Sequence, residues 1–331
     1  MRLVLLGDLA CEQELIVRAK LTMPIDVVPV PAGAADPVRR AALADAGAAI
    51  TMRYDRTMPP APNLKLLQVG GTGWDDIDVT YLPAGAVVCN AYGHETAVAE
   101  YVMLAMLLWC TGFLEAERSF RRGSWALGGR TGGPLVDELA GRTVGLLGYG
   151  HIGREVARRA RAFGARIAAC TRRPPDSAPG LAWIRALDAV DQLLAESDFV
   201  VIACGLGPET RGLFDERRFR SMRPTGVLIN VSRGAIVDEA ALYDALRYRI
   251  IGGAIIDTWY RYPTPAEPDV RPSRFPFHEL PNVFMTPHSS AWTKGMIERR
   301  WTTIVTNVES VAAGREPVNI VHRVREARAS G

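Results

Sequence analysis

The segment 142–173 constrains the fold of this chain more than any other part of the sequence. The apolar residues 144–147 predict a buried strand, and the run GYGHIG at positions 148–153 follows it directly. Residues 154–163 predict a helix that ends at Gly164, and residues 167–170 predict a second strand. A helix that begins at such a turn presents unpaired N–H groups and the positive end of its dipole, so the segment predicts a phosphate site.

The spacing of three glycines narrows this prediction to a dinucleotide. Such a site needs one glycine for the tight turn, a second where the backbone meets the pyrophosphate, and a third where helix packs on strand. The alternative is a plain tight turn between a strand and a helix. The expected cofactor contacts of this turn are Gly148, Tyr149, Gly150, His151, Ile152 and Gly153.

The end of the second predicted strand departs from the usual pattern. An acidic residue commonly holds the ribose 2′-hydroxyl there, but this sequence has Thr171, followed by Arg172 and Arg173. Thr171 removes the repulsion toward a 2′-phosphate, and guanidinium groups pair well with a dianion. We therefore predict that NADP(H) is preferred and that NAD(H) is possible. The alternative is that both arginines are solvated loop charges.

Length, charge and cysteine content exclude several classes of protein. A chain of 331 residues exceeds the usual size of a single core, so two domains are expected. A net charge of +3 is too small and too dispersed to indicate a nucleic-acid partner. The five cysteines form no CxxC pair, which favours reduced thiols in the cytoplasm over disulfides or a metal site. The apolar residues 101–114 are too few for a membrane span, so no membrane partner is expected.

Strands and helices alternate along most of the chain, which predicts an α/β protein with helix-covered parallel sheets. Strands are predicted at 3–6, 27–30, 48–52, 66–69, 87–89, 144–147, 167–170, 199–203, 227–230, 253–256 and 283–285. Helices are predicted at 11–20, 37–46, 96–122, 154–163, 189–196, 215–221, 239–246 and 294–313. Residues 263–276 predict a surface loop, and residues beyond 321 predict a frayed tail.

Five further motifs occur in a fixed order: GWDDID at 73–78, AVAE at 97–100, PETRGL at 208–213, NVSRG with VDE at 230–239, and PNV with TPH at 281–288. With these motifs the chain resembles the D-isomer-specific 2-hydroxyacid dehydrogenase family, in particular NADP-type glyoxylate/hydroxypyruvate reductases. The resemblance implies two Rossmann-like or flavodoxin-like parallel-sheet domains, with the nucleotide-binding domain inserted into a split substrate domain. It places residues 1–93 and 291–331 in the substrate domain and residues 94–290 in the dinucleotide-binding domain.

The resemblance and the chemistry of the side chains both indicate Arg233 and His288 as catalytic residues. Reduction of a 2-oxo acid needs a cation for the carboxylate and carbonyl oxygen, a proton donor and a hydride. Arg233 follows a predicted strand and offers a guanidinium fork, and His288 titrates near neutral pH. The alternatives are a surface salt bridge for Arg233 and a satisfied core or surface residue for His288.

The remaining expected contacts come from loops and from the resemblance. The N–H groups of residues 71–73 can receive the substrate carboxylate, or this run is a simple glycine turn. The expected substrate contacts are Gly71, Thr72, Gly73, Arg233 and His288. By the resemblance, the expected cofactor contacts beyond the glycine turn are Thr171, Arg172, Arg173, Cys204, Gly205, Val231, Ser232, Arg233, Asp257, His288 and Ser290.

Tyr262 stands where the resembled family has the glutamate that partners the catalytic histidine. A carboxylate orients the imidazole and favours its charged form, whereas a tyrosine supplies no negative charge near neutral pH. Three explanations are open. Glu267 folds back into the gap, or Tyr262 serves as a catalytic residue with a weaker pH shift, or catalysis is lost. We expect the first two.

The sequence therefore predicts an oxidoreductase that transfers a hydride between NADP(H) and a small 2-oxo acid or D-2-hydroxy acid. One alternative is a nucleotide-sensing binding protein of the same fold with weak or no catalysis. Another is a dehydrogenase of formate or phosphite. The apolar helical residues 98–114 predict the surface of a homodimer formed through the nucleotide-binding domain.

Overall fold

The structure, a computed structural model, describes residues 1–264 and 267–325. Its contacts divide the chain into two compact units. The first unit consists of Met1–His94 with Thr293–Gly331, and the second unit consists of Glu95–Trp292. Each unit is built around its own sheet, with helices beside it, so the predicted α/β class with two sheets is confirmed.

The described residues contain thirteen strands and ten α-helices. The strands are β1 (Arg2–Leu6), β2 (Asp26–Val30), β3 (Ala46–Thr51), β4 (Leu66–Val69), β5 (Val87–Cys89), β6 (Thr143–Leu147), β7 (Arg166–Cys170), β8 (Trp183–Arg185), β9 (Phe199–Ile202), β10 (Val227–Asn230), β11 (Gly253–Ile256), β12 (Val283–Met285) and β13 (Ile320–Arg323). The helices are α1 (Asp8–Cys11), α2 (Glu14–Lys20), α3 (Asp36–Ala44), α4 (Glu95–Thr111), α5 (Phe113–Arg121), α6 (His151–Ala162), α7 (Val190–Glu196), α8 (Glu216–Ser221), α9 (Glu239–Arg247) and α10 (Lys294–Ala312).

The first unit has a six-stranded sheet in the order β13-β5-β4-β3-β1-β2. Strands β1 to β5 pair in parallel, and β13 pairs antiparallel with β5. The order of the five parallel strands is that of a flavodoxin-like sheet, with its switch point between β1 and β3. The loops at the carboxyl ends of these strands therefore lie where open α/β sheets bind ligands.

The second unit has a seven-stranded parallel sheet in the order β12-β11-β10-β9-β6-β7-β8. Strands β6, β9, β10 and β11 are buried at every position, as expected for a parallel sheet covered on both faces. The order from β8 to β11 is that of a Rossmann sheet, whose switch point lies between β6 and β9. The predicted phosphate turn follows β6 and therefore lies at this switch point.

One long helix predicted for residues 96–122 is two helices in the structure. Gly112 takes a left-handed conformation with a φ of 58°, and α4 and α5 meet there at a bend of 61°. Most of the apolar residues of α4 are buried, and the helix packs against α6. Among the described residues no single helix is long and apolar enough to cross a membrane, and α4 and α5 pass that test only when they are counted together across the bend.

Two short strands, β8 and β13, were not predicted. Strand β13 occupies part of the segment that was expected to fray, because residues 320–323 pair with β5 far away in the sequence. Residues 326–331 of the predicted tail lie outside the described residues, as do residues 265 and 266 of the predicted surface loop 263–276.

Candidate active site

The glycine turn between β6 and α6 has the geometry that a pyrophosphate requires. Gly148 has a φ of 106°, and a Cβ on it would lie 2.7 Å from backbone atoms of Ala203. A Cβ on Gly153 would lie 2.2 Å from the carbonyl oxygen of Gly148, so this glycine allows the helix to pack on the turn. A Cβ on Gly150 would meet no atom within 4 Å. The turn is therefore closed at its outer glycines and open at the middle one, where a phosphate would lie.

Helix α6 begins at the open glycine. Gly150 is the N-cap, and its carbonyl oxygen accepts the first helical bond from the N–H of Arg154 at 3.0 Å. The N–H groups of the first turn of a helix have no acceptor within that helix, and the dipole adds partial positive charge there. The guanidinium of Arg154 also lies 5.7 Å from the ring centre of Tyr149. Backbone donors and the positive end of the helix dipole thus lie at the open glycine, and Arg154 adds a positive charge within the start of α6.

Thr171 and the two arginines after it follow β7 at the same edge of the sheet. The N–H of Thr171 donates to the carbonyl oxygen of Arg185 at 3.0 Å, which fixes this position at the end of the strand. Arg172 and Arg173 are exposed. Within residues 1–264 and 267–325, neither arginine forms an ion pair or a hydrogen bond. Their guanidinium groups are therefore available to an anionic ligand.

The loops after β9 and β10 contain four further residues that were expected to contact a cofactor. Cys204 and Gly205 follow β9, and Val231 and Ser232 follow β10. The hydroxyl of Ser232 donates to the carbonyl oxygen of Cys204, which ties the two loops together. Burial raises the pKa of the Cys204 thiol to about 11, although the charge of Arg172 opposes this rise. The thiol is therefore neutral near pH 7.

Asp257 follows β11 and organises the loop that carries His288. Its carboxylate is completely buried. One carboxylate oxygen accepts hydrogen bonds from the Thr286 hydroxyl at 2.5 Å and from the N–H of Ser289 at 2.9 Å, and the other accepts from the N–H of Ser290 at 3.1 Å. A buried carboxylate needs such donors. Because these bonds hold the residues on both sides of His288, Asp257 fixes the backbone of that residue.

His288 is held in a conformation that side chains rarely adopt. Its φ is 56°, in the left-handed region, which costs a non-glycine residue about 1–2 kcal/mol. Such strain persists only where the surrounding structure enforces it. Burial against protein atoms lowers the pKa of His288 below its usual value, the charge of Asp257 opposes this effect, and Arg233 adds to it. The protonated imidazole is therefore a stronger acid than that of an ordinary histidine.

Tyr262 contacts this imidazole with its ring. The two ring centres are 5.5 Å apart and the planes are tilted by 52°. The hydroxyl oxygen of Tyr262 accepts a hydrogen bond from the N–H of Trp259 at 3.0 Å. Desolvation raises the pKa of Tyr262, so its hydroxyl stays neutral near pH 7. Tyr262 therefore supports the imidazole by packing and gives it no negative charge.

Glu267 does not replace the family glutamate. Its carboxylate lies 2.8 Å from the guanidinium of Arg261, and its backbone pairs with Thr264. The charged groups that shift the pKa of His288 are Asp257 and Arg233. The expectation that Glu267 folds back toward His288 is therefore wrong in this structure, because a neighbouring arginine holds it.

Arg233 lies close to the same group of residues. It follows β10 and is half-buried. The next residue, Gly234, has no room for a side chain, since a Cβ there would lie 2.4 Å from the carbonyl oxygen of Trp259. The turn after Arg233 therefore packs against the start of the Tyr262 segment. The charge of Arg233 lowers the pKa values of both His288 and Tyr262, which agrees with this proximity.

The predicted carboxylate loop, Gly71-Thr72-Gly73, follows β4 in the first unit. The N–H of Ala91 donates to the carbonyl oxygen of Gly71 at 2.9 Å, and the side-chain amide of Asn90 donates to that of Thr72 at 2.9 Å. In the part of the chain that the structure describes, no acceptor binds the N–H groups of residues 71–73. Successive N–H groups of this kind form a concave site for an anion.

Sequence reasoning missed the side chains that support Asp257. The hydroxyl of Tyr101 lies 2.7 Å from that of Thr286, and because Thr286 donates to Asp257, Tyr101 donates to Thr286. Burial raises the pKa of Tyr101 to about 12. The indole N–H of Trp259 also donates to the carbonyl oxygen of Thr286 at 2.8 Å. The available signal was a tyrosine at the start of the apolar part of α4, because a buried hydroxyl needs a partner.

Two residues beside the carboxylate loop were also missed. The ring of His94 lies 3.3 Å from the hydroxyl of Thr72. Arg300, on α10, donates to the carbonyl oxygen of Gly70 at 3.4 Å. Both contacts hold the loop from segments that are distant in sequence, so no local pattern predicted them.

Similarity to known proteins shows the family of this chain. A family model described as the NAD binding domain of D-isomer specific 2-hydroxyacid dehydrogenase matches residues 103–290. A glyoxylate reductase from Thermococcus onnurineus is 32% identical over 295 residues, which are 84% of each chain. A glycerate dehydrogenase from Methylorubrum extorquens is 32% identical over 277 residues, which are 82% of this chain and 83% of that protein.

A solved structure is similar to this chain over almost the whole length of both. The NADPH-dependent glyoxylate/hydroxypyruvate reductase from Sinorhizobium meliloti, in complex with citrate, is 26% identical, covers 99% of each chain and superposes with a TM-score of 0.79. The match covers both units. The chain belongs to the D-isomer-specific 2-hydroxyacid dehydrogenase family and is an NAD(P)-dependent 2-hydroxyacid oxidoreductase.

Proposed function

We propose that the protein reduces a small 2-oxo acid with NADPH and, in reverse, oxidises a D-2-hydroxy acid with NADP⁺. The observation that carries this proposal is the grouping of a strained, acidic imidazole at His288 with the cation of Arg233 in the same unit as the glycine turn. A proton donor, a cation and a dinucleotide site are the three parts that the reaction needs.

His288 is the proposed proton donor. The nicotinamide, when bound, supplies a hydride to the carbonyl carbon of the substrate. The protonated imidazole of His288 gives its proton to the carbonyl oxygen, and the product is the 2-hydroxy acid. In the reverse direction the neutral imidazole takes the proton of the hydroxyl group. Tyr262 acts as a positioning residue, because its ring lies against the imidazole and its hydroxyl is bound to the backbone.

Arg233 and the loop 71–73 are the proposed substrate-binding groups. A guanidinium matches the geometry of a carboxylate and can polarise the carbonyl oxygen that gains negative charge. The N–H groups of residues 71–73 supply further donors, because no acceptor among the described residues binds them, and the carbonyl oxygens of Gly71 and Thr72 are held by Ala91 and Asn90. We assign the first unit as the substrate domain and the second as the cofactor domain, and the match of residues 103–290 to an NAD binding domain supports this assignment.

The proposed preference for NADP(H) rests on Thr171, Arg172 and Arg173. A threonine at the end of β7 does not repel a 2′-phosphate, and both arginines lack a partner among the described residues. An anionic group would therefore gain charge-assisted hydrogen bonds without breaking existing ones. The S. meliloti relative is itself an NADPH-dependent enzyme, which supports the same preference.

We also propose a homodimer through the second unit. The exposed apolar surface is not the one predicted at residues 98–114. Helix α4 buries most of its apolar residues and exposes chiefly Leu104. The exposed apolar side chains nearby lie on α5 and in the loop after it. This group consists of Phe113, Phe120, Trp125, Leu127, Leu135 and Val136. An exposed set of this kind commonly marks an interface. The five free cysteines agree with a reducing compartment such as the cytoplasm.

Cofactor oxidation with a panel of acids tests the proposal. Glyoxylate, hydroxypyruvate, pyruvate and phenylpyruvate are offered with NADPH or NADH, and the loss of reduced nicotinamide absorbance is followed. We expect turnover with at least one 2-oxo acid and a Michaelis constant for NADPH at least about tenfold below that for NADH. Tight NADPH binding without turnover would favour a nucleotide sensor, and turnover with only formate or phosphite would favour a different dehydrogenase.

A further inference from the structure

Two amide side chains form a fully buried pair in the first unit. Gln68 lies on β4, the strand that leads into the proposed carboxylate loop at residues 71–73, and Asn307 lies on α10. The side-chain nitrogen of Asn307 donates to Oε1 of Gln68 at 2.8 Å. A buried amide costs stability unless its N–H groups and its oxygen have partners. The partners of this pair therefore identify the backbone that it holds in place.

Gln68 joins the ends of β4 and β5. The backbone ladder between these strands ends at the pair of Gln68 and Cys89. Beyond that pair, the side-chain amide of Gln68 donates to the carbonyl oxygen of Val69 at 3.0 Å and to that of Cys89 at 3.2 Å. Val69 and Cys89 end their strands, and residues 70–73 and 90–91 follow them directly. The amide of Gln68 thus fixes the two backbone segments from which the carboxylate loop and its supports begin.

Asn307 fixes the orientation of that amide from the C-terminal part of the unit. Its Oδ1 accepts a hydrogen bond from the N–H of Val318 at 2.8 Å, and its Nδ2 donates to the carbonyl oxygen of Val318 at 3.0 Å. A backbone N–H only donates and a carbonyl oxygen only accepts, so neither amide can turn over without losing bonds. The pair therefore has a single arrangement, in which each side-chain nitrogen donates twice.

Helix α10 contacts the same region at two further places. Nε of Arg299 donates to the carbonyl oxygen of Gly93 at 3.0 Å, and Arg300 donates to that of Gly70 at 3.4 Å. A Cβ on Gly93 would lie 3.1 Å from the Cβ of Arg299, so the helix packs closely on this residue. Arg299 is exposed, whereas the bond between the two amides is buried, and hydrogen bonds are stronger away from water. The amide pair is therefore the firmer of these attachments.

We propose that Gln68 positions the carboxylate loop and that Asn307 acts through Gln68. The inference rests on the proposed function, because the N–H groups of residues 71–73 are taken to bind the carboxylate of the 2-oxo acid. Hydrogen bonds weaken steeply when donor and acceptor are misaligned, so displacement of the end of β4 weakens substrate binding. The carboxylate is bound in the same way before and during hydride transfer, so the loss raises KM and leaves kcat unchanged.

Near-isosteric substitutions of the pair test this assignment. Gln68→Met keeps the length of the side chain and removes the amide, and Asn307→Leu removes the amide on α10. Each variant is expected to raise KM for the 2-oxo acid about tenfold and to change kcat by less than about twofold, because a lost hydrogen bond to a charged group weakens binding by at least that factor. The dissociation constant for NADPH should stay unchanged, because the glycine turn belongs to the second unit. Asn307→Leu carries the test if Gln68→Met does not fold.

Val308→Ala is the matched control. It shortens the buried residue next to Asn307 and removes no polar contact, so it lowers stability and should leave KM unchanged. Urea unfolding measures the loss of stability in each variant. A KM within about twofold of the wild-type value in folded Gln68→Met or Asn307→Leu overturns the positioning role. An equal rise of KM in Val308→Ala, at the same loss of stability, overturns it as well.

The double variant tests whether Asn307 acts through Gln68. If it does, Gln68→Met combined with Asn307→Leu raises KM by about the same factor as Gln68→Met alone. Independent effects would multiply to roughly a hundredfold and would overturn the coupling.

A binding experiment separates this inference from the proposed function. If no 2-oxo acid oxidises NADPH or NADH, the proposed function fails, and oxalate then serves as the carboxylate probe. Its affinities for the wild-type protein and for Gln68→Met are compared by titration calorimetry. Binding that is about tenfold weaker in the variant supports the inference. Equal affinities overturn it, and so does a wild-type protein that binds no oxalate.

Discussion

The ring of Tyr262 lies 5.5 Å from the imidazole of His288, and its hydroxyl accepts a hydrogen bond from the backbone rather than from that imidazole. The position that carries a glutamate in the resembled family is thus filled by an uncharged ring. Burial lowers the pKa of His288, and Asp257 is the carboxylate whose charge opposes this shift. The acid strength of His288 therefore depends on its burial, on one buried carboxylate and on the charge of Arg233.

Replacing Tyr262 with glutamate is expected to move the pH profile of 2-oxo acid reduction upward. Reduction needs the protonated imidazole, so kcat/KM falls as pH rises through the pKa of His288. That pKa is lowered from 6.5 in this structure, so the fall in the wild-type protein comes below 6.5. A carboxylate beside the imidazole favours its charged form and is expected to raise the pKa of His288 by roughly one to three. Steady-state rates across the acidic and neutral range measure this shift.

Tyr262→Phe is the matched control for that experiment. It keeps the ring and removes a hydroxyl that faces the N–H of Trp259, so the descending limb should stay where it is. Coincident profiles for the Tyr262→Glu variant and the wild-type protein would contradict the packing role of Tyr262.

Thr171→Asp is expected to reverse the cofactor preference. The new carboxylate would repel a 2′-phosphate and accept hydrogen bonds from a ribose diol. We expect the Michaelis constant for NADPH to rise by about tenfold or more and that for NADH to fall. Arg166→Ala, at the opposite end of β7, is the control and should leave both constants unchanged. A Thr171→Asp variant that still prefers NADPH would show that other residues select the cofactor.

Alanine at two glycines of the turn should separate stability from cofactor binding. A Cβ on Gly153 would lie 2.2 Å from the carbonyl oxygen of Gly148, so Gly153→Ala should lower the free energy of unfolding by about 1–3 kcal/mol. A Cβ on Gly150 meets no protein atom within 4 Å. Gly150→Ala should therefore change stability by less than about 1 kcal/mol. Its dissociation constant for NADPH should nevertheless rise at least about tenfold, because the methyl group takes the place of a phosphate.

Urea unfolding and a fluorescence titration with NADPH measure the two effects of these glycine variants. The placement of the pyrophosphate would be contradicted by a Gly150→Ala variant that binds NADPH as tightly as the wild-type protein does.

Thr286→Val tests the support of the buried carboxylate. The substitution keeps the shape of the side chain but removes the donor to Asp257 and the acceptor for Tyr101. Leaving buried polar groups without partners should lower the free energy of unfolding by about 1–3 kcal/mol. Tyr101→Phe removes only the hydroxyl that donates to Thr286, so it should lower the free energy of unfolding by about 0.5–1.5 kcal/mol. Equal stability of Thr286→Val and the wild-type protein in chemical denaturation would argue against this network.

The parts of the fold that depend on local sequence were predictable. The turn at 148–153 was identified because strand, glycines and helix are consecutive, and the structure has them in that order. Strand β13 was missed because its formation depends on pairing with β5, more than two hundred residues earlier. The break between α4 and α5 was missed because Gly112 stands within an apolar run that otherwise favours one helix.

Prediction of the site from the sequence has the same limit, because it succeeds only for residues that belong to local motifs. Arg233 and His288 each follow a strand and stand within a short motif, so both were found. Tyr101 and Thr286 are 185 positions apart, and only the fold brings their hydroxyl groups together. Glu267 was misassigned because proximity in sequence to Tyr262 suggested a contact, whereas Arg261 holds its carboxylate. Glu267 thus pairs with its charged neighbour and does not take the place of the family glutamate.

The central claim is that His288 donates the proton in an NADPH-dependent reduction. The most direct test compares NADPH-linked 2-oxo acid reduction by the wild-type protein and by a His288→Asn variant, with the dissociation constant for NADPH measured in parallel. General acid catalysis contributes roughly a hundredfold to ten-thousandfold, so kcat should fall by about a thousandfold in the variant while NADPH binding changes little. A variant that retains most of its kcat at unchanged pH dependence would contradict the claim.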